Sequence, residues 1–109
     1  MSSGSYDRTS FKGLTFHDAV SGFQSGQDTP RAYLERCLAA IAERDGVVRA
    51  FVVLNEAGAR AAADAATARY KAGRALSAID GMPIGIKDLI ETIDMPTQMG
   101  CGAFTGNFP

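Results

Sequence analysis

The sequence predicts an α/β fold, and three observations carry that prediction: two segments with helical caps and helical apolar spacing, an alanine-rich helix after them, and short wholly apolar runs that read as buried strands. A chain of 109 residues is one domain at most. Of these residues 46% are apolar, yet 18 are alanine and only 23 are Leu, Ile, Val or Phe, so large core side chains are in short supply. A net charge of only -1 argues against a disordered chain all the same.

Residues 1–13 are small, polar and without periodicity, and are expected to form a mobile tail ahead of a structured portion spanning 14–109. Thr15 with Asp18 three residues on suggests a capping box for a short first helix, whose stripe is Phe16, Ala19, Val20 and Phe23 and whose end is set by Gly22 and Gly26. The second helix is the best signalled. Thr29 stands at its cap, Pro30 at the first helical position, Leu34, Cys37, Leu38 and Ile41 recur on one face, and Asp45-Gly46 supplies the stop. Ala50-Phe51-Val52-Val53-Leu54 then reads as a buried strand, although five residues cannot be told from a helix by period alone. Asn55 caps a third helix in which eight of the twelve positions from Ala57 to Ala68 are alanine, Tyr70 is the only large apolar side chain, and Gly73 marks the end. Such a helix gains little from burial and needs a broad surface to lie on. From Asp80 onward, glycine and proline punctuate short apolar pieces, Ile84-Gly85-Ile86 and Leu89-Ile90, a composition for a strand and a chain of turns that line a site.

Charge and cysteine usage narrow the function. With 11 basic and 12 acidic side chains there is no single-signed field to attract nucleic acid or an anionic membrane. The first dozen residues hold Asp7, Arg8 and Lys12 and no apolar core of an export signal, and no stretch approaches a membrane span, so a cytoplasmic location is expected. Cys37 and Cys101 with a single histidine, His17, do not make a zinc site, and the thiols read as free in a reducing compartment.

The candidates for chemistry are few. Gly81-Met82-Pro83-Ile84-Gly85-Ile86-Lys87-Asp88 is not a phosphate loop: the Gly-to-Lys spacing is wrong, Pro83 lacks a backbone donor, and Asp88 stands where Ser or Thr would bind magnesium. His17 reads as a helix-surface residue, Cys37 as a small hydrophobe, and Cys101, between two glycines, has no visible activating neighbour. Lys87 is one of three lysines and directly follows a strand-like apolar segment. It is either a solvated surface lysine or an amine held in a site, where desolvation favours the neutral form that accepts a proton.

The run from Gly81 to Ile90, continuing through Asp94-Met95-Pro96-Thr97 to Gly100, closely resembles the amino-terminal part of the amidase signature family. The capped helix at Thr29–Asp45, the Ala50–Leu54 run and the alanine-rich helix also stand in that family's order, so the resemblance covers about residues 14–109. It implies an α/β fold whose outer helices cover the first strands of a mixed central sheet, incomplete on its own. It also implies an amide hydrolase with a Ser–cis-Ser–Lys triad, in which Lys87 matches the catalytic lysine. In such enzymes a neutral lysine withdraws a proton through a bridging serine and activates a second serine, which attacks the carboxamide carbon. Backbone N–H groups stabilise the oxyanion, ammonia or an amine leaves, and water releases the acid. No metal or organic cofactor is needed.

Both family serines lie in a Gly/Ser-rich stretch downstream of the lysine, whereas the last serine here is Ser77, so the chain is expected to be a truncated portion and inactive alone. Cys101 stands where family members commonly have serine. A small-molecule amide is the implied substrate of the complete enzyme, amidotransferase-type subunits are the implied partners, and the substrate-binding residues are not identified in this sequence. The rival reading is a non-catalytic helical module that docks through the Ala57–Ala68 face.

Overall fold

The computed structural model describes Thr9 and residues 15–108. The expected mobile tail at 1–13 therefore lies, apart from Thr9, outside the described residues. Three helices follow in order: α1 at Phe16–Ser25, α2 at Pro30–Val48 and α3 at Glu56–Lys71, with a short 3-10 helix at Gly102–Phe104.

The helix starts obey local chemistry. Thr29 Oγ1 accepts from the Ala32 N–H (3.1 Å) with Pro30 at the first position of α2, and Asn55 Oδ1 accepts from the Gly58 N–H (3.1 Å) to cap α3. At α1 the capping box is corrected. The Thr15 hydroxyl donates to the Asp18 carboxylate (3.2 Å) and its side chain caps no N–H, because the Asp18 N–H that a capping hydroxyl would accept goes to the Thr15 carbonyl instead (3.3 Å).

The stop of α2 is corrected too. Gly46 lies inside the helix, and Asp45 is a clasp, its carbonyl accepting from Arg49 N–H (2.8 Å) and its Oδ1 from Ala50 N–H (2.7 Å). Arg49, at φ 55°, takes the left-handed position expected of a glycine.

The core is small. Leu34 and Leu38 of α2 meet Ala63 of α3, with Ala59 at the margin, and an aromatic cluster secures α1: the Phe23 ring lies 5.4 Å from Tyr70 and 5.9 Å from Tyr33. A cross-helix network of Arg31, Glu35, Arg60 and Asp64 fastens the α2–α3 seam. After α3 the chain folds back. Arg69 donates twice to buried Asp80 (2.8 and 2.6 Å), whose carbonyl accepts from the Tyr70 hydroxyl (2.8 Å). Gly81 then passes so close that a Cβ would lie 2.9 Å from the Pro30 ring, at a φ of 86°. This contact requires glycine on two counts.

The α/β expectation, with helices on a mixed central sheet, is overturned: among the described residues there are three α-helices, one 3-10 helix and no strand. The reason lies in what a strand needs. A strand exists only as half of a ladder, and the apolar runs at 50–54 and 84–90 share no backbone hydrogen bond with one another. Phe51, Val52 and Leu54, expected to be buried, are exposed.

Candidate functional site

Lys87 leaves an extended, irregular segment, residues 82–87, and opens a turn in which its carbonyl accepts from Ile90 N–H (3.0 Å). Asp88, next along, gathers the other side of the loop. Its Oδ1 accepts from Gln98 N–H (2.8 Å) and its own carbonyl from Met99 N–H (3.0 Å), so consecutive amides bind one residue. Thr97, fully buried, donates through its hydroxyl to Ile90 O (3.3 Å) and through its N–H to Asn107 O (2.7 Å). Gln98 Oε1 accepts from Gly106 N–H (2.9 Å) and ties in the region of the 3-10 helix. The backbone beyond Lys87 is thus cross-linked at 88 and 90 to 97–99, and through them to 106–107.

Its side chain is exposed at the rim of a hollow of about 210 Å³, with Val52, Val53, Asp88, Thr92 and Pro96 among the walls. Part of that wall is therefore the 50–54 run, brought to the lysine from across the chain. A larger, mostly apolar groove of about 670 Å³ runs between α2, α3 and residues 81–86, lined by Leu38, Ile41, Phe51, Ala62 and Ile84, but Lys87 does not reach it.

The remaining candidates are not brought to Lys87. His17 is exposed on α1, and Cys101 is exposed just before the 3-10 helix. Cys37 lines the apolar groove, where burial pushes its thiol up from the ordinary range, the opposite of activation. Among the described residues no three His, Cys, Asp or Glu side chains are grouped to hold a metal ion, and no helix is long and apolar enough to cross a membrane.

The clamp by Asp88 and Gln98 was missed from sequence. Its partners lie ten residues apart in a segment with no periodicity, and an acid following a lysine carries no local signal of the amide it will accept. One buried oxygen, Asp88 Oδ2, makes no hydrogen bond within the described structure.

Comparison with known proteins bears out the family resemblance. The family model described as Amidase matches residues 32–109. Among relatives, the chain is 42% identical over 96 residues to the A subunit of glutamyl-tRNA(Gln) amidotransferase from Chloroflexus aggregans, covering 88% of this chain and 20% of the relative. It is 38% identical to the corresponding A subunit from Myxococcus xanthus, with the same coverage. To the mitochondrial A subunit from Canis lupus familiaris it is 29% identical over 97 residues, 89% of this chain and 18% of the relative. The chain thus spans about a fifth of the length of the curated relatives it matches. No solved structure matches it.

Proposed function

The chain belongs to the amidase family, and from that premise we propose that it supplies the lysine of an enzyme that hydrolyses a carbon–nitrogen amide bond. The observation that supports this reading is Lys87 at the rim of the 210 Å³ hollow, with its backbone tied into a hydrogen-bonded loop and its side chain unburied. A proton acceptor has to be held in place while its amine stays accessible to a second group, and this arrangement does both.

In the proposed reaction the Lys87 amine takes a proton, by way of a bridging serine, from the serine that attacks the carboxamide carbon. The acyl-enzyme forms as ammonia or an amine departs, and water then releases the carboxylate. No serine follows Ser77 in this sequence, so both hydroxyls come from outside these 109 residues. The substrate in this proposal is a small-molecule amide, and the relatives named as amidotransferase subunits support an enzyme that works beside other subunits.

The test is Lys87→Ala in the full-length gene product that carries these residues, assayed for ammonia release from small carboxamides. Turnover is expected to fall by about 10²–10⁴-fold, the usual contribution of a positioned acid–base group. Circular dichroism should be unchanged, because the lysine is exposed. Turnover within a few-fold of the parent would remove Lys87 from the reaction.

The docking alternative loses part of its surface. Ala63 and Ala66, on the face assigned to docking, are already buried inside the molecule, Ala63 with Leu34 and Leu38 and Ala66 close to Gly81.

A further inference from the structure

We infer that Asp88 is a positioning residue for Lys87, an inference that rests on the amidase reading of that lysine. Three observations lead there. Asp88 alone joins the lysine's turn to two consecutive amides of the returning chain, Gln98 through its side chain and Met99 through its carbonyl. Gln98 in turn accepts from Gly106 N–H, so releasing it loosens the next loop as well. The lysine has no comparable anchor of its own, since its only hydrogen bond in the described structure is the backbone turn to Ile90.

The amine sits at the end of four rotatable bonds, and whatever precision the site has must come from where its Cα is held. The Asp88 side chain fastens the residue next to that Cα to the far side of the loop. A proton acceptor displaced by even an ångström loses much of its effect, so a residue that acts through the position of the lysine still governs turnover. Asp88 Oδ1 does the fastening, whereas Oδ2 holds nothing in the described structure. Asparagine keeps the Oδ1 acceptor and alters only the oxygen without a partner. Alanine removes the side-chain bond to Gln98 and leaves only the backbone bond to Met99.

The experiment compares Asp88→Ala, Asp88→Asn and Lys87→Ala with the parent in the full-length gene product, following kcat and KM for amide hydrolysis and the amide hydrogen exchange of Gln98. Asp88→Ala is expected to lower kcat by about 10²-fold with KM within about threefold, and to speed Gln98 exchange tenfold or more. Asp88→Asn is expected to bring both back to within a few-fold of the parent. Unchanged Gln98 exchange in Asp88→Ala overturns the clamp whatever the kinetics show. Faster exchange with undiminished kcat overturns the positioning role, as does Asp88→Asn that restores the exchange but not kcat. If Lys87→Ala remains active, the amidase reading of the lysine fails instead, and Asp88 has no catalytic group to position.

Discussion

Asn55 joins two parts of the chain with one side chain. Its Oδ1 caps α3 at the Gly58 N–H, and its Nδ2 donates to Asp94 (2.7 Å) in the loop beyond Lys87. That bond holds the Asp94 carboxyl below the usual carboxylate range. Substitution separates the two duties. Asn55→Ala should cost about 1 kcal/mol, the ordinary value of a lost helix cap, and should also release Asp94. Asn55→Asp should retain the cap, since aspartate accepts as well as asparagine, but would set two carboxylates 2.7 Å apart where a donor now stands. The Asp94 pKa, followed by NMR titration, should then rise in Asn55→Asp above its value in the parent. A fall would mean that the amide is not what holds that carboxylate. The same principle governs Asp88, where the question is likewise which atom of a small polar side chain does the holding.

At the scale of elements, what could be read from the sequence was what depends on neighbours in the chain. The caps at Thr29 and Asn55 follow from side chains within four residues of the backbone groups they serve, and the end of α3 from the left-handed backbone of nearby Gly73. The α2 stop failed because Asp45 closes the helix through the N–H groups of Arg49 and Ala50, which lie beyond the glycine expected to end it. The strands failed for a larger reason: an apolar run becomes a strand only when another edge pairs with it, which no local pattern encodes. Lys87 was legible as a candidate through its motif, whereas its support by Asp88, Thr97 and Gln98 arises from contacts seven to ten residues apart. The return after α3 has the same character, with Arg69 and Asp80 eleven residues apart. Here the Arg69 guanidinium, opposed by burial and helped by the Leu76 N–H, holds the Asp80 carboxyl below its ordinary range. A lowered folded-state pKa adds stability above the unfolded value, and that stability is lost as pH falls through the folded value. Asp28, lowered by Arg36, and Glu35, lowered by Arg60 and Arg31, act in the same direction. Helicity at 222 nm should therefore hold at neutral pH and decline below about pH 4. Asp80→Asn should lower stability at pH 7 and flatten the acid decline. An acid profile identical to the parent's would show that the Asp80 pair does not contribute to it.

For the molecule as a whole, the balance of buried and exposed apolar surface decides how it behaves. The buried hydrophobic core is Phe23, Leu34, Leu38, Ala63, Ala66 and Tyr70, two of them alanines. Outside that core, Ile93 is 93% exposed, Val47 90% and Ile84 68%, and the groove between α2, α3 and residues 81–86 is open. The radius of gyration is 16.8 Å, against about 13 Å for a compact domain of this length, and the body is 47 × 43 × 21 Å, a slab with little interior. Exposed side chains of this size on adjoining surfaces drive association when they meet no cover. The 109-residue chain by itself should therefore bind a hydrophobic dye such as ANS at neutral pH, melt broadly by circular dichroism, and associate as its concentration rises. The α2–α3 seam, with its cross-helix ion pairs and paired leucines, should be the last part to lose amide protection, and residues 84–93 the first. Ile84→Lys and Ile93→Lys together should reduce association without changing helicity, because neither side chain lies in the buried core. A sharp melt that is independent of concentration, with no dye bound, would show that the exposed isoleucines and valines are not a liability and that three helices of this size close a sufficient core.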